Sequence, residues 1–126
     1  SSTSRGLGDV YKRQGQVRYM INLDDMSIGY IDLYNFDIVH SRAGVGIFID
    51  KKFRKKGIAY KALKTLIEIS NKELHLNQLF AEVFQSNKSA ISLFEHAGFT
   101  LSGLKKQCIR KQEAYEDLLF FQLMNT

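Results

Sequence analysis

The chain has a single cysteine, no proline and no long apolar run. With only Cys108 available, an intramolecular disulfide framework is excluded, and a reducing cytoplasmic setting is favoured. No segment approaches the ~18 consecutive apolar residues of a membrane helix, and no secretory signal is recognisable. We therefore expect a cytoplasmic protein with no membrane partner. The absence of proline excludes no class of function.

Two kinds of site also lack their signatures. His40, His75 and His96 show neither metal-ligand spacing nor paired acids, so no metal is expected. The chain contains neither the G-x-x-x-x-G-K-S/T pattern of a Walker loop nor the G-x-G-x-x-G pattern of a dinucleotide-binding turn.

The fractions of hydrophobic and charged residues are ordinary, but the basic residues are unevenly distributed along the chain. A length of 126 residues, with 44% hydrophobic and 25% charged residues, fits one soluble globular domain with its own core. A net charge of +5, if spread over the surface, would suggest nucleic acid. Much of the excess lies in residues 51–64, however. A local cluster of this kind fits a small phosphate-bearing cofactor better than a long polyanion.

The first residues differ from the rest of the chain. The sequence starts at Ser1 without a methionine, and Ser1 to Gln14 is polar and irregular. We expect residues 1–14 to be a non-native or disordered leader, with a genuine loop as the alternative. Residues 15–126 are expected to form a single domain.

Apolar periodicity and turn residues predict the element order β-β-β-α-β-α-β-β. The predicted strands and helices are Gln16–Leu23, Ser27–Tyr34, Arg42–Ile49, helix Ile58–Lys72, Leu79–Phe84, a helix capped by Ser86–Asn87 and ending at Gly98, Phe99–Lys106 and Leu118–Met124, with Arg110–Glu116 joining the last two strands. The alternation of strands and helices in the middle implies parallel pairing beside antiparallel hairpins. The predicted fold class is therefore α+β with a mixed sheet.

The segment Arg54–Ala59 joins the third predicted strand to the first helix. Gly57 lets the backbone approach a ligand closely, and the helix start offers unpaired N–H groups and a positive dipole end. Basic side chains surround this segment: Lys51, Lys52, Arg54, Lys55, Lys56, Lys61 and Lys64. The pattern predicts a site for a multiply phosphorylated ligand, and the alternative is a solvated charged turn.

Two blocks of sequence carry a family resemblance. The run VGIFIDKKFRKKGIAYKAL resembles the acetyl-CoA-binding motif of the GNAT superfamily of N-acetyltransferases, R/Q-x-x-G-x-G/A, which is met by Arg54, Gly57 and Ala59. The run Asn87–Phe99 resembles the next motif of that family, N-x-x-S/A-x-x-L/I-Y/F-x-x-x-G-F. The blocks occur in the family's order, with a short strand between them. Within the superfamily the chain looks most like the polyamine and ribosomal-protein-alanine acetyltransferase branch.

The resemblance implies the GNAT acyltransferase fold, with acetyl-CoA lying between the third and fourth predicted strands. It implies transfer of acetyl to a primary amine by direct attack in a ternary complex. The expected acceptor is a polyamine such as spermidine or a protein N-terminal alanine. The implied cofactor-binding residues are Ile47, Phe48 and Ile49 for the pantetheine arm, Arg54, Lys55, Lys56, Gly57, Ile58 and Ala59 for the pyrophosphate, and Asn87, Ser89 and Phe94 in the second block.

The same resemblance suggests catalytic and substrate residues. Glu82 matches a glutamate that related enzymes use as a base, and its alternative is a solvent-facing position on an alternating strand. Asp32 and Asp37 are the candidates for attracting a cationic amine. Phe94 stands where many members carry a tyrosine that protonates the leaving thiolate. A water molecule or Ser89 could take over that role.

Family members usually begin with a strand and two helices, roughly 50 residues of ordinary element lengths, before the first strand recognised here. We therefore expect an N-terminal truncation in which Gln16–Leu23 is an exposed sheet edge and the acceptor pocket is incomplete. Weak acetyl-CoA binding and poor turnover are expected to follow.

Two other functions stay open. One is a catalytically weak acyl-CoA-binding module. The less favoured one is a basic nucleic-acid-binding domain, which the scarcity of aromatics near the basic cluster argues against; no nucleic-acid partner is expected. A homodimer is an open alternative to a monomer.

Overall fold

A single mixed sheet organises the protein. The structure, a computed structural model, describes residues 7–125. Within them the seven strands lie in the order β1-β2-β3-β4-β5-β7-β6. The elements are β1 Leu7–Arg13, β2 Gln16–Leu23, β3 Met26–Asp37, β4 Arg42–Ile49, a 3-10 turn at Lys51–Phe53, α1 Ile58–Lys72, β5 Gln78–Phe84, α2 Lys88–His96, β6 Thr100–Lys111 and β7 Ala114–Met124.

The pairing confirms the predicted mixture of strand directions. Strands β4 and β5 pair in parallel, with α1 as the crossover between them, and every other neighbouring pair is antiparallel. A parallel pair needs such a crossover, whereas hairpins suffice for antiparallel neighbours. The mixed α+β fold class is therefore correct.

The two faces of the sheet have different surroundings. Alternate residues of a strand point to opposite faces, and the apolar core residues of β4, of β5 and of the middle of β3 are odd-numbered, for example Ile31, Val45 and Ala81. They form one apolar cluster with the buried stripe of α1 and with Phe94 of α2. Within residues 7–125 no helix covers the opposite face, which we call the open face.

The helix α1 has the predicted bounds, because its apolar positions recur with helical spacing and fill the buried face. The predicted connection Arg110–Glu116 is wrong: β6 and β7 run on as a long hairpin, with only Gln112 and Glu113 between them. The exposed ends of these strands lack an apolar alternation, so their extent was not visible in the sequence. No helix in the described part of the chain is both long and apolar enough to cross a membrane.

The expectation that residues 1–14 lie outside the fold is wrong for residues 7–13. Strand β1 pairs antiparallel with β2, and Leu7 is buried in the core. Among residues 7–125 the edge on this side of the sheet is therefore β1 and not Gln16–Leu23. An edge strand needs mainly backbone partners, so its polar sequence did not reveal it. Residues 1–6 lie outside the described residues, and a non-native origin of the segment stays a prediction.

Candidate active site at a fork between two parallel strands

The two parallel strands separate halfway along their length. Pairing of β4 with β5 runs from Arg42 opposite Gln78 to Gly44 opposite Phe80 and then ends. Beyond that point β4 stays paired with β3, and β5 stays paired with β7. Residues 45–49 of β4 and 81–84 of β5 thus border a gap, which we call the fork. It opens toward the carboxyl ends of both strands, where α1 and α2 begin.

Backbone groups that bond no neighbouring strand line the β4 side of the fork. The Asp50 N–H donates to the Ile28 carbonyl at 2.7 Å. Backbone groups that bond β3 recur at every second residue from there, so they belong to the even-numbered residues of β4. Antiparallel pairing alternates, so the N–H and C=O groups of Ile47 and Ile49 point toward the fork. Both predicted residues therefore lie where an extended arm could add hydrogen bonds. The backbone of Phe48 pairs with β3, and its exposed ring stacks on Tyr30 at 5.5 Å between centroids.

The start of α1 lies at the open end of the fork. Gly57 precedes the helix with a positive φ of 78° and no side-chain cap, so the N–H groups of the first turn are available to a ligand. The left-handed backbone explains why glycine is needed there. The first turn contains no acidic residue, and Lys55 and Lys56 are exposed. Together these features make an anion-binding helix start.

Arg54 anchors this segment to the fork. Its Nε donates to the Ile49 carbonyl at 2.7 Å, and its guanidinium lies 5.6 Å from the centre of the Phe48 ring. The arginine of the motif thus holds the basic segment against the end of β4. The exposed lysines of residues 51–64 form no ion pair with any residue in the range 7–125.

The start of α2 brings two further predicted residues together. Asn87 Oδ1 accepts hydrogen bonds from the Ala90 N–H and from Ser89 Oγ, both at 3.2 Å. The predicted helix cap is therefore confirmed. Glu116 accepts from the N–H and the hydroxyl of Ser86 at 2.8 and 3.1 Å, which ties this loop to β7.

Phe94 lies in the core, where it is 3% exposed and contacts Phe99 edge-on at 5.0 Å between ring centroids. Its position is explained by packing within the protein. The structure thus shows the core contact, and a contact with the cofactor arm stays a prediction.

Glu82 points to the open face at the edge of the fork. Its neighbours Ala81 and Val83 are buried in the core, so strand alternation turns Glu82 the other way. If the β4–β5 register is continued, Gly46 lies opposite it across the gap. The carboxylate is 28% exposed and accepts a hydrogen bond from Lys105 Nζ at 3.0 Å. That bond and the charge of Glu82 raise the pKa of Lys105.

Sequence reasoning missed Tyr34, which lies at the closed end of the fork. Its ring covers Gly44 on the open face and contacts Phe80 edge-on, with 5.8 Å between centroids. Burial, and then the charge of Glu82, raise the pKa of Tyr34 to about 12. Its hydroxyl has no hydrogen-bond partner among residues 7–125. The sequence does contain a signal for Tyr34. It lies on the same strand face as Asp32, and the next strand carries two glycines, which leave room for a large ring.

The raised pKa of Tyr34 predicts a loss of stability at high pH. The folded-state pKa of about 12 lies above the reference value of 10.0, so between pH 10 and 12 the unfolded chain releases a proton that the folded chain keeps. The free energy of unfolding must fall as pH rises through this window. The ring is partly exposed, so we expect a loss of about 1–2 kcal/mol. Urea unfolding at pH 9 and pH 11.5 should show this excess loss relative to Tyr34→Phe. Equal losses in both proteins would contradict it.

Asp32 is already paired within the chain. Arg18 donates to both carboxylate oxygens at 2.8 Å, and Gln16 Nε2 donates at 3.2 Å. The guanidinium of Arg18 stacks on Tyr30 at 3.6 Å, and Asp32 is 7% exposed. It lies beside Gly46 on the open face, near the fork, but its charge is matched internally.

Asp37 lies away from the fork. It stands opposite Arg42 at the closed end of β4, which is roughly 13 Å along the strand from the level of Glu82. Arg42 lies 3.4 Å from its carboxylate, and His40 contacts it through its backbone N–H at 3.0 Å and its ring at 3.1 Å. The backbone N–H and then the ring of His40 lower the pKa of Asp37. The structure does not bring Asp37 together with Glu82.

The described part of the chain contains no group of His, Cys, Asp and Glu side chains that could hold a metal ion.

Comparisons with known proteins agree with this geometry. Residues 2–120 match the model of the acetyltransferase (GNAT) domain. Spermidine N(1)-acetyltransferase of Escherichia coli K12 is 29% identical over 101 residues, which cover 77% of this chain and 54% of that protein. The putative ribosomal N-acetyltransferase YdaF of Bacillus subtilis is 30% identical over 101 residues, covering 80% of this chain and 55% of that protein.

A solved structure shows the same fold. The spermidine N-acetyltransferase of Vibrio cholerae, in complex with CoA and spermine, superposes with a TM-score of 0.83 at 21% identity, covering 88% of this chain and 66% of that one. The chain spans about half the length of the curated relatives it matches. With the domain match over nearly the whole chain and the fork between β4 and β5, the protein belongs to the GNAT acetyltransferase family.

Proposed function

We propose that the protein is an N-acetyltransferase that moves the acetyl group of acetyl-CoA to a primary amine at the fork. The observation that carries the proposal is the separation of β4 from β5 beyond Gly44 and Phe80. It leaves an unpaired backbone edge that ends at a basic helix start. An elongated ligand with an amide-bearing arm and a pyrophosphate matches both features.

The chain supplies a distinct contact for each part of such a ligand. The fork-facing N–H and C=O groups of Ile47 and the N–H of Ile49 suit the amides of the pantetheine arm, whereas the Ile49 carbonyl already accepts from Arg54. The free N–H groups of residues 57–59 suit the pyrophosphate, because a helix start concentrates donors and positive potential. The exposed Lys55 and Lys56 are candidates for its further phosphate. Asn87 and Ser89 lie at the same open end, at the start of α2.

The reaction we propose is a direct attack. The amine nitrogen forms a bond to the thioester carbonyl carbon, and the C–S bond breaks. CoA leaves as a thiolate, which takes up the proton that the new amide nitrogen loses. An amine arrives mostly protonated at neutral pH, so a base must first remove a proton from it. Glu82 is the carboxylate at the edge of the fork, and Tyr34 keeps a neutral hydroxyl donor close to it. Because a thiolate is a fair leaving group, the missing hydroxyl at Phe94 does not prevent turnover.

The proposed acceptor is an aliphatic amine carrying positive charge, with a polyamine first and a protein N-terminus second. Glu82 faces outward on the open face and already binds one alkylammonium group, that of Lys105. The names of the relatives from Escherichia coli and Bacillus subtilis specify spermidine and the ribosome, respectively. Asp37 is a weaker candidate for an acceptor contact than Asp32, since it lies away from the fork.

The test is release of free CoA thiol from acetyl-CoA in the presence of a panel of amines. Thiol release that depends on spermidine or on an N-terminal alanine peptide supports the proposal. Binding of acetyl-CoA without release to any amine would instead support an acyl-CoA-binding module. The burial of Phe94 in the core, with no hydroxyl offered to the fork, is the observation that favours this second candidate.

Replacing Lys55 and Lys56 together with alanine should weaken acetyl-CoA binding about three- to tenfold at low salt. Each exposed ion pair between a lysine and an anionic group contributes about 0.2–1 kcal/mol, so two such pairs in the middle of that range correspond to roughly a three- to tenfold change in affinity. The difference from wild type should shrink between 50 and 500 mM salt, because exposed charges are screened. Calorimetric dissociation constants check this, with Lys72→Ala at the far end of α1 as the matched control. A salt-independent difference would contradict the charge-based explanation.

A further inference from the structure

We propose that Lys105 occupies the place that the acceptor's ammonium group takes beside Glu82, and so acts as a built-in competitor that sets the affinity for cationic acceptors. The inference rests on the proposed function of the fork, and it adds a residue that determines specificity.

The first argument is position. Lys105 lies on β6, two strands away from β5, with β7 between them. Its side chain crosses β7 on the open face and places Nζ 3.0 Å from Glu82 Oε2. A group deprotonated by Glu82 must lie within hydrogen-bond distance of the same carboxylate. Lys105 Nζ therefore stands where the acceptor nitrogen is needed.

The second argument is chemical identity. The lysine side chain is a primary ammonium on a four-carbon alkyl stem. The end of a polyamine is the same group on a similar stem. A carboxylate that binds one of them is suited to bind the other, and the two exclude each other at Glu82.

The third argument is that Lys105 can be displaced. Its side chain is 61% exposed, and exposed lysine–carboxylate pairs are weak. The other two acids considered for the acceptor are held differently. Asp32 has a bidentate partner in Arg18, and Asp37 is contacted by both Arg42 and His40. Among these acids, Glu82 is the one whose partner an incoming ammonium can replace most easily.

The test compares Lys105→Gln with wild type, using spermidine as the probe. Removing the competitor should lower the KM for spermidine about two- to fivefold, as expected for losing one exposed ion pair, while kcat at saturating spermidine stays the same. Lys105→Arg should restore the wild-type KM. Lys106→Gln is the matched control: it removes the same charge from the adjacent residue, which forms no ion pair with residues 7–125.

A second readout separates this inference from the proposed function. Calorimetry without acetyl-CoA should show that Lys105→Gln binds spermidine about two- to fivefold more tightly than wild type, whether or not any thiol is released. This shift in a protein that releases no thiol would overturn the proposed function and leave the competition standing. Equal changes in the Lys105→Gln and Lys106→Gln variants, or no change in either, would overturn the competition, since the effect would then be one of overall charge.

Discussion

Replacing Glu82 with glutamine should lower kcat for acetyl transfer by about 10²-fold or more at neutral pH. Glutamine keeps the size of the side chain and can still accept a hydrogen bond from Lys105, but it cannot take a proton from the amine. General base assistance of this kind typically contributes 10²–10⁴-fold. The affinity for acetyl-CoA should stay the same, because Glu82 points to the open face and the proposed cofactor contacts come from the backbone of β4 and the start of α1.

The pH dependence makes this prediction specific. As pH approaches the amine's own pKa, near 10 for an alkylamine such as the lysine side chain, the acceptor arrives without its extra proton and the base is no longer needed. The deficit of Glu82→Gln relative to wild type should therefore shrink as pH rises from 7 toward 10. A purely structural defect would leave the deficit constant. Glu113→Gln, in the turn between β6 and β7, is the control that removes a carboxylate other than that of Glu82. A Glu82→Gln enzyme with a kcat within threefold of wild type at pH 7 would exclude Glu82 as the base.

The features predicted correctly from the sequence are those that local spacing determines. The bounds of α1 follow from apolar residues with a helical period. The helix cap at Asn87 and the glycine before α1 follow from side-chain and backbone chemistry within a few residues. The sequence left the orientation of Glu82 open, and the burial of Ala81 and Val83 in the structure shows that it faces the open face.

The features that were missed depend on which strands meet and where they stop pairing. Arg18 neutralises Asp32 only because β2 and β3 adopt a register that places them opposite each other. Lys105 reaches Glu82 from a strand that is not adjacent to β5. The fork begins where the pairing of β4 with β5 ends, at Gly44 and Phe80. Apolar periodicity carries no information about where two neighbouring strands separate. Such contacts join residues that are 14 to 23 positions apart, and a one-residue slip in register would abolish them.

Replacing Gly44 with alanine should destabilise the protein by about 1–3 kcal/mol, as is typical of overpacking a well-filled region. A β-carbon at Gly44 would come within 2.5 Å of Tyr34 Cζ and within 2.8 Å of Phe80 Cε1. These two rings contact each other edge-on, so one ring cannot move away without disturbing the other. Gly46→Ala is the matched control on the same strand and face, because its β-carbon would meet only Tyr34 Cε1 at 4.0 Å. Alanine there should be neutral, or stabilising by up to about 0.5–1 kcal/mol through its effect on the unfolded chain.

Urea unfolding of the single and double variants tests the cause of the Gly44 effect. If the cost arises from the clash with the ring, Gly44→Ala should cost at least about 1 kcal/mol less in a Tyr34→Ala background than in wild type, because residues in contact are not additive. An equal cost in both backgrounds would show that the clash with the Tyr34 ring is not the cause.

The same variants connect stability with function. A displaced Tyr34 changes the closed end of the fork beside Glu82, so Gly44→Ala should lower kcat under conditions where it remains folded.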